Sequence, residues 1–188
     1  MKELQNENII CVSSVDWEPL WTRKQQVMSR LPASNRILYV EPPISWLSPL
    51  KDPARIEKWK TWREGVRQLN DNIFLLSPPV MPPFGNIFPV MNRVIQSVLT
   101  SSIIKAMRTL DMKDPILWTY LHTSAPLIGK LGEKLVVYDC VDEHSEYKGF
   151  NPQAVRAMEK ELLTKADLVF VTARGLYQDK APFSREIH

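Results

Sequence analysis

The run Lys134-Leu135-Val136-Val137-Tyr138-Asp139-Cys140-Val141-Asp142-Glu143-His144-Ser145-Glu146-Tyr147 constrains this chain more than any other stretch. Its first half is continuously apolar and rich in β-branched residues, the pattern of a strand buried on both faces in a parallel sheet. Parallel neighbours cannot be joined by a hairpin, so each pair demands a crossover, usually a helix. The second half switches abruptly to carboxylates, an imidazole, a hydroxyl and a phenol. In open α/β sheets ligands gather beyond the carboxyl ends of the strands. The expectation is a central strand that delivers Asp139, Asp142, Glu143 and His144 to a cleft.

The remaining pattern supplies the neighbours such a strand needs. Apolar runs at residues 8–14, 36–41, 73–77, 115–120 and 167–172 read as strands, with a weaker candidate at 66–69. Between them lie helical stretches. Thr22 caps a helix to Leu31; residues 86–110 form the longest, with an apolar stripe of Val90, Met91, Val94, Ile95, Val98, Ile103 and Met107. Ser124 and Pro126 suit a short helix to Leu131. Asn151 as N-cap and Pro152 at the first helical position open another to about residue 165, with Glu159 and Glu161 facing solvent. A further helix starts at Arg174 and is not expected to finish before the chain does. Alternation of this kind predicts an α/β fold: a doubly wound, mostly parallel, Rossmann-like sheet of about six strands over residues 8–173, with 174–188 beginning a continuation.

Composition removes several functions. A chain of 188 residues with 44% hydrophobic and 24% charged residues has enough material for one sizeable core. Its formal charge of +3 is too mild to argue for nucleic acid. Cys11 and Cys140 both sit inside apolar runs, which favours reduced thiols and a cytoplasmic setting. Residues 1–8 lack the apolar core of a signal peptide, and the longest uncharged apolar stretch, 94–104, is too short for a bilayer. With only 6 glycines the chain contains neither a G-x-G-x-x-G nor a G-x-x-x-x-G-K-[ST] motif. Nicotinamide dehydrogenases and P-loop kinases are disfavoured.

A series of short motifs then carries a resemblance. In order they are Asp16-Trp17-x-x-Leu20-Trp21-x-Arg23-x-Gln25-Gln26, Leu38-Tyr39-Val40-Glu41-Pro42-Pro43, Ser77-Pro78-Pro79, Phe84-Gly85-Asn86, Ile116-Leu117-Trp118-Thr119-Tyr120, Val137-Tyr138-Asp139-Cys140-Val141-Asp142-Glu143 and Ala166-Asp167-Leu168-Val169-Phe170-Val171-Thr172. Together they resemble the amino-terminal domain of a bacterial GT-B-fold glycosyltransferase of the teichuronic-acid and exopolysaccharide type. Lys24 departs from the pattern, standing where the family has proline. The resemblance implies the acceptor-binding half of an enzyme that makes a cell-surface polysaccharide. It implies a nucleotide-sugar donor held mainly by a carboxyl-terminal domain absent from this chain, and no cofactor bound by the chain itself. Whether the chain alone is an enzyme is left open, the alternative being a non-catalytic α/β module that binds a glycan or a partner.

Sugar transfer needs a base beside the acceptor hydroxyl, or a group that steadies an oxocarbenium-like centre. Asp142 and Asp139 are the candidates for that work, with Glu143 and His144 beside them as substrate contacts. Asp16, Trp17 and Arg23 follow the first strand. Arg23 suits an anionic acceptor or the donor diphosphate, and equally an ion pair with Asp16 that fixes the loop. Trp17 suits either stacking on a sugar or plugging the loop. Tyr120 and His122 end the strand at 115–120 and read as hydrogen-bonding cleft residues. No ligand spacing supports a metal. The stretch from Trp46 to Arg67 mixes tryptophans with an excess of cations; it reads either as a peripheral membrane contact toward a lipid-linked acceptor or as a solvated helix face over buried tryptophans.

Overall fold

A computed structural model describes residues 4–51 and 58–188, with the backbone alone at residues 51 and 58–60. The strands are β1 (Asn8–Val12), β2 (Arg36–Val40), β3 (Val66–Gln68), β4 (Ile73–Leu76), β5 (Ile116–Thr119), β6 (Leu135–Cys140) and β7 (Leu168–Val171). The helices are α1 (Arg23–Arg30), α2 (Ser48–Lys51), α3 (Lys58–Glu64), α4 (Pro89–Thr109), α5 (Pro152–Lys165) and α6 (Arg174–Lys180). One sheet takes the strands in the order β3-β4-β2-β1-β5-β6-β7. Every pairing is parallel except β3 with β4. Without β3, the order is that of the doubly wound nucleotide-binding sheet, and it reverses direction between β1 and β5. The sheet has seven strands rather than about six because the weak candidate at 66–69 is real. It is an edge hairpin strand whose turn is closed by Asn70, which accepts hydrogen bonds from the backbone of Asn72 and Ile73.

The two-residue period of the strands sorts the core into two layers. Ile10, Val12, Leu38, Val40, Leu117, Val136, Tyr138 and Cys140 face the side covered by α4 and α5. Ile9, Cys11, Ile37, Tyr39, Ile116 and Val137 face the other, where Met28 of α1 and Trp17 pack. Asp139 lies between Tyr138 and Cys140, so parity sends it to the α1 side. Cys11 and Cys140 are free thiols, both buried.

Several expected elements need correction. Of the expected α4 stripe, Ile95, Ile103 and Met107 are buried and Met91 packs against the core, but Val90, Val94 and Val98 are exposed, and the buried face also takes Asn92, Gln96, Leu99, Thr100 and Ala106. Asn92, Gln96 and Thr100 each donate locally, while Gln96 Oε1 has no hydrogen-bond partner among the described residues. Asn92 donates to the Thr123 carbonyl at 2.9 Å, Gln96 to Asn92 at 3.2 Å, and Thr100 to the Gln96 carbonyl at 2.7 Å. In place of the short helix expected from Ser124 to Leu131 stands a 3-10 segment, His122–Leu127. On α5, Asn151 caps as expected, but Glu159 is buried rather than solvent-facing. Its carboxylate takes Tyr138 Oη at 2.7 Å and Lys180 Nζ at 2.7 Å. Helix α6 does finish, and the chain then returns along β7, where Ile187 bridges Val169. Within the Trp46–Arg67 stretch, residues 52–57 lie outside the described residues and the side chain of Trp59 is not described. Among the described side chains Trp46 and Trp62 are exposed, so these two are not buried beneath a solvated face. Among the described residues no helix is long and apolar enough to cross a membrane.

Candidate active site

The reversal of strand order leaves a crevice at the carboxyl ends of β1 and β5, and a cavity of about 830 Å³ occupies it. Ser14 and Val15 reach it from β1, Pro42 to Ser45 from β2, and His122 and Thr123 from β5. Asp142, His144 and Tyr147 enter from β6, while Asn92 and Gln96 of α4 form a further wall. Its volume falls in the range of small-molecule sites.

His122 and His144 meet in this wall with ring centroids 4.7 Å apart. His122 is only 1% exposed and His144 only 6%. Neither nitrogen of His122, nor Nδ1 of His144, has a hydrogen-bond partner among the described residues. Burial, reinforced by the neighbouring His144, pushes the His122 pKa down to about 3, and burial lowers His144 as well. Both rings are therefore neutral near pH 7, each carrying one donor and one acceptor. Phe150 lies 6.1 Å from His122 and Tyr147 5.4 Å from His144, centroid to centroid. The wall thus combines flat aromatic faces with imidazole nitrogens that have no hydrogen-bond partner among the described residues. Lys24, mostly buried in the first turn of α1, is the cation among the described lining residues, with Nζ 5.5 Å from the Tyr120 ring centre.

The expected cluster divides. Asp142 and His144 line the cavity; Asp139 and Glu143 do not. Asp139 is completely buried, and both its oxygens accept from Arg23 Nε, at 3.2 and 3.3 Å. Arg23 therefore pairs across the sheet edge with Asp139, not with Asp16. Asp16 offers its backbone carbonyl to Gln25. Trp17 is buried edge-on against Tyr39, 4.9 Å away, and Trp21, 5.6 Å away. Tyr120 is buried on the α1 side, where burial, with Cys11 and Asp139 nearby, drives its phenol pKa up. Burial pushes the Glu143 carboxyl up, but hydrogen bonds from Lys180 and Ser145 outweigh it and leave the pKa below the ordinary value. Glu143 caps the 3-10 turn His144–Glu146 through Ser145 N and Oγ, and it holds Lys180 Nζ at 2.6 Å.

Three residues that organise the site escaped the sequence expectations. Gln25 is fully buried and donates from Nε2 to the carbonyls of Asp16, Trp17 and Leu20, at 2.8, 3.0 and 2.8 Å. Its Oε1 accepts from Thr22 N at 3.0 Å, the back-bond of a capping box that the spacing Thr22-x-x-Gln25 already spells out. Glu41 collects Ser77 Oγ at 2.6 Å and Arg67 Nη2 at 3.3 Å. The third, Gln96, carried no signal, since a glutamine on a long helix reads as a surface residue. Among the described residues no group of three or more His, Cys, Asp or Glu side chains is placed to hold a metal ion.

No protein-family model matches the chain, and no curated protein matches it either. Among solved structures it resembles a sucrose-phosphate synthase from Thermosynechococcus elongatus, with a TM-score of 0.58 over 97% of this chain and 87% of that one. The two share a fold. At 12% identity the likeness extends no further than the backbone. That backbone is a Rossmann-like α/β sheet consistent with half of a GT-B fold.

Proposed function

We propose that this chain is the acceptor-side domain of a nucleotide-sugar-dependent glycosyltransferase that builds a cell-surface polysaccharide. The observation that carries the proposal is the neutral histidine pair set in the wall of an aromatic-lined cavity beside Asp142, on a sheet folded like that of a sucrose-phosphate synthase. Sugars offer flat apolar faces and alternating hydroxyl donors and acceptors. Uncharged imidazoles with free hydrogen-bonding capacity match that chemistry better than charged groups do. A phosphate-rich donor fits this wall poorly, since Lys24 is its one cation among the described lining residues. The donor accordingly belongs to a second domain facing the same edge.

In this scheme His122, His144 and Gln96 orient the acceptor, and Asp142 takes the proton of its hydroxyl. The new bond from that oxygen to the anomeric carbon forms as the bond to the nucleotide diphosphate breaks. The diphosphate leaves with the electron pair, and the proton stays on Asp142. In a retaining enzyme the same carboxylate steadies positive charge on the ring instead. Asp139 contributes by fixing Arg23 at the rim.

The test follows the imidazole proton resonances of His122 and His144 while the chain is titrated with neutral oligosaccharides and, separately, with nucleotide-diphosphate sugars. Oligosaccharides are expected to shift both rings and the nucleotide sugars neither. Nucleotide sugars moving the rings while oligosaccharides leave them untouched would overturn the assignment. For the chemistry, Asp142→Asn in the enzyme completed by its donor domain is expected to lower kcat by about 10²- to 10⁴-fold. Transfer at the unmodified rate would reassign the base, and oligosaccharide binding with no transfer by any completed form would leave a binding module.

A further inference from the structure

Among the described residues that line the cavity, Lys24 is a cation without an anion. It stands in the first turn of α1, at the position where this chain departs from the pattern it otherwise resembles, and it is 7% exposed. Its Nζ makes no hydrogen bond and no ion pair with a described residue. The Tyr120 ring, 5.5 Å from Nζ, is what faces the charge. One such cation–π contact compensates only part of the cost of taking an ammonium out of water. The carboxylates nearby do not supply the rest. Both oxygens of Asp139 accept from Arg23 Nε, Glu41 is held by Ser77 and Arg67, and Asp142 lines the cavity without pairing to Lys24.

The ammonium is also within reach of a ligand. Both nitrogens of His122 and Nδ1 of His144 are sealed in the wall, but Lys24 Nζ and His144 Nε2 are not among the sealed atoms, and both residues line the same space. Their charges interact: besides burial, Lys24 helps to lower the His144 pKa. An ammonium and a neutral imidazole, with Ser14 on the same wall, offer one full positive charge and further hydrogen-bond donors. A carboxylate matches this set, with one negative charge spread over two accepting oxygens. A diphosphate carries more charge than a single cation balances.

We infer that Lys24 is an anion subsite within the cavity, and that the sugar bound there carries a carboxylate which the ammonium receives. This rests on, and deepens, the proposed function: the histidine pair meets the hydroxyls of the acceptor, while Lys24 selects an acidic acceptor over a neutral one of the same shape. Selection of this kind follows from the burial of the charge. A neutral ligand leaves the ammonium desolvated and unpaired, and an acidic one supplies the missing partner.

The experiment compares binding of a disaccharide bearing one galacturonate residue with binding of its methyl ester, which keeps the shape and loses the charge. The acid is expected to bind about tenfold more tightly than the ester, by an advantage that shrinks with added salt. Lys24→Met keeps the stem and removes the charge, and is expected to bring the two affinities within about twofold of each other. Because the charge it removes is unpaired, the free variant should melt no lower than the unmodified chain. Equal binding of acid and ester, or a preference that survives Lys24→Met, overturns the inference. So does a clear fall in the variant's melting temperature, which would make the ammonium a part of the fold. Inorganic pyrophosphate binding more tightly than the acid, and losing that binding in Lys24→Met, would give the subsite to the donor's diphosphate instead. The two readings fail separately. Acid and ester bound equally well leave the sugar site standing without its anion subsite, and an acid bound through Lys24 with no detectable binding of the ester leaves the subsite without the neutral-sugar wall.

Discussion

At the scale of single residues, the site depends on keeping two imidazoles uncharged. His122 has a folded pKa of about 3 against an ordinary 6.5, burial being the main cause. The sign follows directly. Below about pH 6.5 the unfolded chain takes up a proton that the folded chain refuses until about pH 3, so stability is full above that window and lost as pH falls through it. At about pH 5 the loss from His122 alone is on the order of 2 kcal/mol. Denaturant unfolding at about pH 7 and 5 is expected to show this decrease, and His122→Gln to flatten it whatever that variant's stability at neutral pH. Equal stability of the unmodified chain at both values would mean that His122 titrates normally. Residue partners were the least legible layer of the sequence. Asp139 and Asp142 look alike as carboxylates at a strand's end. Only strand parity, which sends Asp139 to the Arg23 side and leaves Asp142 in the loop, tells them apart.

At the scale of elements, the strands and most helix boundaries followed from pattern, because apolar runs, proline stops and the Asn151-Pro152 cap are local signals. Helix α4 was legible in its existence and, through Ile95, Ile103 and Met107, in its buried face, but not in the place of its three valines. Its valines mimic a core stripe, and what buries Asn92 and Gln96 is a carbonyl and a hydroxyl of Thr123, a partner no periodicity reveals. The loop between β1 and α1 shows the same dependence on one distant side chain. Gln25 satisfies three backbone carbonyls and two groups of Thr22 at once. Gln25→Leu keeps the volume and removes every bond, and its expected cost is about 2–4 kcal/mol from stranded buried carbonyls. Thermal or denaturant unfolding measures this, and a cost below about 0.5 kcal/mol would show that water replaces the amide.

At the scale of the whole molecule, the place of the site was legible before its contents. Strand order alone puts a crevice beyond β1 and β5, and the cavity lies there. Not legible was the tie between that crevice and the last helix. Lys180 of α6, 6% exposed, bridges Glu159 of α5 and Glu143 at the end of β6, with Tyr138 donating to the same Glu159 carboxylate. Glu143 in turn caps the turn that sets His144 in the cavity wall. The network therefore couples α6 to the cavity edge through buried charge. Lys180→Met should leave Glu159 with an unpaired buried carboxylate and cost about 3–5 kcal/mol. Adding Glu159→Gln should return a good part of that loss, because the amide still accepts from Tyr138 while the stranded charge is gone. In the single variant the His144 resonance should broaden as its turn loosens, and in the double variant it should sharpen again only if Glu143 alone suffices to hold the turn. Additive losses in the double variant would show that Lys180 acts by packing its methylene stem, not by neutralising the two carboxylates.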